Sequence, residues 1–297
     1  MISVRKTISV MVVIALTFTA IAFSYSGSYG VSAITLPVNS RCAELYDMTA
    51  GKVIYSKNIN QQARTASLAK ILVAITVLDH VKSLNKYTAT VSDDYDYIEN
   101  VDETSSNIFQ IGEKAKIRDY LYASLFVSAA DASMTLARYL GNGSVSKGMN
   151  TINKEAASLG MKHTHLDNPI GTDSAGTYST CSDMTILMRY ALRNMTFKSI
   201  FCGRSYTIAA DNKNVRRTIL HSVFIHASAN TLIGGGKLGY TPKAKKCLAS
   251  YARIGGHEYI CVTFRAVPTT NNSYPNISDA EKLFGAVQSS AASGSSK

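Results

Sequence analysis

Ser67 and Lys70 stand three residues apart at the head of the apolar run Ile71-Leu72-Val73-Ala74-Ile75. In a helix that spacing places both side chains on one face, one turn apart. The first turn of a helix has free N–H groups and the positive end of the macrodipole. Such a position suits a hydroxyl that must pass through an alkoxide and then hold an oxyanion. A lysine set among Leu68, Ile71 and Leu72 is desolvated, and desolvation disfavours its ammonium form. The neutral amine can then take the proton of the serine. Taken alone, the pair also reads as a helix cap and a solvated lysine, so the rest of the chain has to decide.

Other chemistries fail on spacing. Gly234-Gly235-Gly236-Lys237 resembles a phosphate loop, but Leu238 stands where Ser or Thr is required. No G-x-S-x-G nucleophile elbow follows the leader. His163 and His165 alternate instead of lying at i and i+4, so they do not form a helical zinc pair. The five cysteines, Cys42, Cys181, Cys202, Cys247 and Cys261, include no C-x-x-C and leave one thiol over if the others pair. Cys247 and Cys261 fall in apolar strand patterns and read as small buried hydrophobes. No metal site and no cofactor are expected.

The elements that must position the pair follow in order. Residues 40–47 and 52–56 read as a hairpin around Thr49-Ala50-Gly51, and residues 58–65 as a polar loop. The helix carrying Ser67 runs to about Val81. A strand-like piece at 88–91 precedes an acidic loop, Asp93-Asp94-Tyr95-Asp96. Helical patterns cover Ile117–Phe126, 129–140, 145–159 and 182–192, the last with Ser182 as its cap. Residues 164–180 are irregular, with a turn at Asn168-Pro169-Ile170-Gly171. Strands return at Gly235–Thr241, 247–253 and 258–265, with Gly255-Gly256 turning the last pair. A closing helix is read at 279–287. The expected fold is α/β (α+β): an antiparallel sheet of about five strands, flanked by helices, with a helical block inserted. The sheet part takes in 34–92 and 200–287, the insertion 93–199, and 288–297 is a disordered Ser/Ala/Gly tail.

Residues 1–33 read as a secretory signal peptide. Arg5 and Lys6 precede an apolar stretch, and Val31-Ser32-Ala33 offers a small-x-small cleavage site. Its removal takes away two basic residues and no acidic one, lowering the formal net charge from +11 to +9. A basic exported chain is drawn to anionic envelope polymers. No basic helix interleaved with aromatics is present, so nucleic acid is not an expected partner. Contact with a membrane is expected only if the leader stays attached.

Ser67-x-x-Lys70 on the first helix, in this order of elements, resembles the penicillin-binding D-alanyl-D-alanine carboxypeptidases, whose S-x-x-K, S-x-N and K-T-G elements are shared with serine β-lactamases. The resemblance runs from about residue 41 to 285. It includes Met48-Thr49-Ala50-Gly51-Lys52, Leu159-Gly160-Met161-Lys162, Asn168-Pro169-Ile170-Gly171 and Ser179-Thr180-Cys181-Ser182-Asp183. It implies a β-lactamase/transpeptidase-like fold. Ser128 matches the serine of the second element and would relay a proton to the leaving group. Two residues on, Ala130 replaces the asparagine that offers an amide to substrate and base. Lys237-Leu238-Gly239 matches the third element, with Leu238 in place of the threonine that binds the substrate's carboxylate. Lys237 would supply a positive charge for that carboxylate and keep Lys70 neutral. Gly239 would admit the substrate close to the strand, and the N–H groups of Tyr240 and Ser67 would form the oxyanion hole.

The resemblance implies a serine carboxypeptidase acting on peptidoglycan stem peptides that end in D-Ala-D-Ala, with β-lactams as covalent ligands of Ser67. Ala130 and Leu238 weaken two of its three elements. They motivate two alternatives on the same scaffold: a non-catalytic wall-binding or regulatory protein, and a serine esterase. A β-lactamase is disfavoured because no glutamate lies near Asn168-Pro169. Many members add a C-terminal β-domain and a membrane-holding helix. With a Ser/Ala tail here, the expectation is a soluble protein of the extracytoplasmic envelope.

Overall fold

The computed structural model describes residues 34–91 and 106–294. The leader, the acidic loop at 93–96 and the last three residues of the tail lie outside them. Five strands form one antiparallel sheet: β1 (Cys42–Asp47), β2 (Lys52–Lys57), β7 (Gly235–Thr241), β8 (Lys245–Ile254) and β9 (His257–Ala266), in the order β2-β1-β9-β8-β7. The early hairpin thus joins the late meander through β1 and β9, and β7 is left as an edge. Gly255 and Gly256, both at positive φ (57° and 83°), form the two-residue turn between β8 and β9.

Strand alternation gives the sheet two buried faces. On β9, Ile260, Val262 and Phe264 face the larger core, while Tyr259 and Cys261 face the smaller one. The larger core is built on α1 (Ala69–His80), which follows a 3-10 turn at Ala66–Leu68. Every residue from Ala69 to Val77 is buried. This is a helix apolar all round, the kind that sits inside a fold and not on its surface. Around it pack α2 (Ile117–Phe126), α3 (Ala130–Leu140), α4 (Val145–Ser158), α5 (Cys181–Ala191) and α6 (Met195–Phe201). The strand-like piece near residue 88 is β3 (Tyr87–Ala89), paired with β4 (Lys114–Lys116) in a separate ribbon. A second ribbon, β5 (Ser205–Ile208) with β6 (Arg217–Leu220), has no counterpart in the sequence reading. A short α7 (Ser222–His226) follows it.

Two expectations are corrected. The cap of α5 is Thr180, whose hydroxyl accepts the Asp183 N–H at 3.0 Å, and Ser182 lies inside the helix. The last helix, α8, spans Pro275–Gly294, so residues 288–294 are helical and not disordered. The hydroxyls of Ser289 and Ser290 donate to the carbonyls of Gly285 and Ala286, turning inward what would otherwise favour coil. The cysteines form no disulfide among the described residues. Cys42, Cys181, Cys247 and Cys261 are buried, and burial pushes the Cys247 thiol up to about 12. Cys247 and Cys261 act as small hydrophobes, as their strand patterns indicate.

α8 is tied to the start of the domain by Asp279. Its buried carboxylate accepts the N–H groups of Asn39 (2.9 Å) and Ser40 (2.7 Å) and the Ser40 hydroxyl (2.6 Å). Hydrogen bonds to a charged group contribute about 1.5–3 kcal/mol, and removing the acceptor leaves buried donors unpaired. Asp279→Ala is expected to lower unfolding stability by about 2–3 kcal/mol, read as a lower urea midpoint at unchanged slope.

Candidate active site

Ser67 lies in the 3-10 turn that opens α1, after Ala66 at φ +45°. The turn aims its side chain at a cleft along the β7 edge, while α1 carries Lys70 directly beneath. Lys70 is fully buried, and its Nζ donates to Ser67 Oγ at 3.0 Å and to the Ile170 carbonyl at 2.8 Å. Ser128 caps the other side: its Oγ donates to Ser67 Oγ at 2.6 Å. Ser128 holds φ +62°, a backbone region that costs a non-glycine residue roughly 1–3 kcal/mol and is concentrated at functional sites. The turn between α2 and α3 is held in that shape by Asp131. Its carboxylate accepts the N–H groups of Ile108 (2.8 Å) and Phe109 (2.7 Å), and the Ala130 N–H donates to the Ser106 carbonyl at 2.9 Å. These bonds bring Ser106 into the cleft wall beside Ser128.

The segment 168–172 is the second support. Asn168 Oδ1 accepts N–H groups from Ile170, Gly171 and Thr172, folding the chain so that the Ile170 carbonyl meets Lys70. Gly171 sits at φ +87°, and a Cβ there would fall 1.9 Å from the Ala66 carbonyl oxygen. Glycine is therefore required where this segment crosses the turn that carries Ser67. Ala130, in the place of the expected asparagine, is fully buried and packs with Met134 and Ile170. Among the hydrogen bonds of Lys70 is thus a backbone carbonyl that the sequence reading had placed only in a turn.

On β7, Gly239 passes so close to the turn that a Cβ would lie 3.2 Å from the Ser67 nitrogen and 3.1 Å from the Ala66 Cβ. This contact sets the next residue, Tyr240, beside Ser67 at the cleft. Lys237 is fully buried with its Nζ on the Leu238 carbonyl at 2.9 Å. Burial, and after it the charge of Lys70, hold Lys237 well below the usual lysine range. Leu238 lines the cleft and offers no hydrogen bond at the position of the expected threonine.

The six residues singled out from the sequence, Ser67, Lys70, Ser128, Lys237, Gly239 and Tyr240, therefore converge on one place. The cleft has a volume of about 310 Å³, and Ser106, Ser222, His226, Lys246 and Tyr274 also line it. None of these five carried a motif; a charged or polar residue at a strand or helix end acquires meaning only once its neighbours are known. Among the described residues no group of three or more His, Cys, Asp or Glu side chains is placed to hold a metal ion.

A buried amine and two hydroxyls in line beneath an edge strand form the arrangement that acyl transfer through a serine requires. The comparisons agree with this class. Residues 30–267 match the D-alanyl-D-alanine carboxypeptidase family, peptidase S11, and the chain belongs to it. It is 30% identical over 261 residues to the D-alanyl-D-alanine carboxypeptidase DacF of Bacillus subtilis, which covers 84% of this chain and 63% of that relative. The carboxypeptidase of Streptomyces sp. K15 is 28% identical over 223 residues, 71% of this chain and 75% of that one. The crystal structure of the Streptomyces K15 DD-transpeptidase superposes with a TM-score of 0.76 at 26% identity, covering 85% of this chain and 98% of that one. The carboxypeptidase of Mycobacterium tuberculosis gives a TM-score of 0.75 at 25% identity, with 87% and 94% covered. The fold is thus the mixed, β-lactamase/transpeptidase-like one expected, with its five-stranded antiparallel sheet.

His221, beneath the cleft, caps α7 by accepting the Val223 N–H and packs against Phe126. Burial, with a smaller push from Lys237, holds its pKa down at about 3. A histidine whose pKa is depressed in the folded state contributes stability above its unfolded pKa, near 6.5, and loses it as pH falls toward 3. Between pH 7 and pH 5 the protein should lose about 2 kcal/mol of unfolding stability relative to His221→Asn. Parallel denaturant titrations of the two proteins at both pH values measure this.

Proposed function

We propose that this protein is a serine D-alanyl-D-alanine carboxypeptidase that trims peptidoglycan stem peptides through an acyl-enzyme on Ser67. The observation that carries the proposal is the joint hold on Ser67 Oγ by Lys70 Nζ and Ser128 Oγ at the floor of the cleft. With Lys70 neutral, the Ser67 proton passes to its Nζ as Oγ attacks the carbonyl of the penultimate D-alanine. The resulting oxyanion lies at the N–H groups of Ser67 and Tyr240; the former, in the first turn of its helix, has no intrahelical acceptor. As the peptide bond breaks, Ser128 hands the proton from Lys70 to the departing D-alanine nitrogen. Water then enters, Lys70 takes its proton, and the ester is hydrolysed. β-Lactams acylate the same oxygen.

The leader at 1–33 and the basic charge of the chain support export to the envelope, where this substrate is found. No helix among the described residues is long and apolar enough to cross a membrane. A second reading, a wall-binding homologue with little turnover, is favoured by Leu238 and Ala130. The two differ in release of D-alanine.

Ser67→Ala is expected to abolish both labelling by a fluorescent penicillin and D-alanine release from a pentapeptide, with Lys70→Met close to it. Leu238→Thr, which trades an apolar contact for a hydroxyl at the edge of the reacting centre, should change KM for the pentapeptide more than kcat. Ala130→Asn should not rescue, because residue 130 is sealed against Met134 and Ile170. Muropeptide binding by wild type without any D-alanine release would establish the second reading instead.

A further inference from the structure

A carboxypeptidase must hold the free carboxylate that marks the end of its substrate, and the residues expected to do so do not present themselves for it here. Leu238 has no donor. Lys237 is fully buried, turned onto a backbone carbonyl, and disfavoured as a cation. Another ammonium faces the same cleft. Lys246, directly across the ladder from Tyr240, places its Nζ 4.7 Å from the centroid of the Tyr240 ring and 4.4 Å from that of Tyr274. Tyr274 is fixed in turn by His226 at the end of α7: the rings stack at 4.0 Å, and the Tyr274 hydroxyl and His226 Nε2 lie 3.0 Å apart. Lys246, His226, Tyr240, Tyr274 and Leu238 all line the cleft that contains Ser67.

Two ring faces hold the Lys246 ammonium in place but do not neutralise it. No carboxylate among the described residues forms an ion pair with it. The site is half-buried, and burial pulls the Lys246 pKa down, as expected for a cation short of compensation. His226 is held below the usual histidine range by burial and by Lys246, so it stays neutral and adds no competing charge. The result is a preorganised cation with aromatic walls at one end of the cleft and an apolar side chain, Leu238, beside it. A terminal carboxylate supplies the missing anion, and the methyl group of a C-terminal alanine matches the leucine.

From this arrangement we infer that Lys246, framed by Tyr240 and Tyr274, is the residue that binds the substrate's C-terminal carboxylate and sets the preference for a free chain end, in place of the Lys237-Leu238 pair. The inference rests on the acyl-transfer reading of the cleft, but it can be tested without turnover. The probes are diacetyl-lysyl-D-alanyl-D-alanine and its C-terminal amide, titrated calorimetrically into the Ser67→Ala protein. A charge-assisted bond to the carboxylate should make the free acid bind about tenfold or more tightly than the amide. Adding Lys246→Met should erase that difference while leaving the amide's affinity unchanged, and Lys246→Arg should restore most of it. Persistence of the preference in the Lys246→Met protein would assign the carboxylate to Lys237 and overturn the proposal. Equal binding of acid and amide before any change at 246, or binding of neither, would overturn it as well. A fall in both affinities on Lys246→Met would mark the lysine as structural only and count against it. If the preference follows residue 246 while the unmutated protein releases no D-alanine, the carboxylate site stands and the hydrolytic reading falls.

Discussion

The structure depends on keeping an amine out of water next to a hydroxyl. Lys70 lies on a helix that is buried on every side, so its ammonium would be surrounded by low dielectric and faced by a second lysine. Either effect alone disfavours the charged form of a buried amine. The cost is that the neutral amine still needs hydrogen-bond partners in the interior. The fold meets this with the Ile170 carbonyl and Ser67 Oγ, and so the 168–172 segment and the Ser67 turn must cross in contact. That crossing is what Gly171 and Gly239 permit, one from each side of Ala66 and Ser67.

Much of this was legible in the sequence, and for definite reasons. The α2 boundaries match the periodic run because Lys116 is extended and Asp119 closes the first turn on its N–H. The five strands were visible because the sheet is buried on both faces and two of its three hairpin turns contain glycine, the third opening on Pro242. The Ser67–Lys70 pairing followed from helical spacing. What spacing could not show were partners far away in sequence: the Ile170 carbonyl on Lys70, one hundred residues on, and the Lys246–Tyr274–His226 cluster, drawn from a strand end, a loop and a five-residue helix. The ribbon of β5 and β6 was hidden for a different reason. Its four-residue strands flank a polar stretch of eight residues, too short a pattern against too long a connection. Thr180 and Ser182 are both competent caps, and only backbone geometry, extended at Thr180, distinguishes them.

The altered elements of the site are unequal. Ala130 sits in a fully packed position where its neighbours have closed around it, and Lys70 has a backbone partner nearby. Leu238 lines the cleft while packing partly against the smaller core, so a change of side chain there alters what a ligand meets. Replacement in the core is compensated by packing; replacement at the rim changes specificity.

The long-range union of β1 with β9 also governs when the chain can fold. β1 and β2 leave the ribosome early, yet β1 has no second neighbour until β9 arrives about two hundred residues later. The Asp279 tether closes last, joining residues 239 and 240 positions apart. Contacts of such separation must await synthesis of nearly the whole domain. The sheet therefore stays open on the inner side of its first hairpin, and the N-terminal clasp unmade, until almost all of the domain has been synthesised.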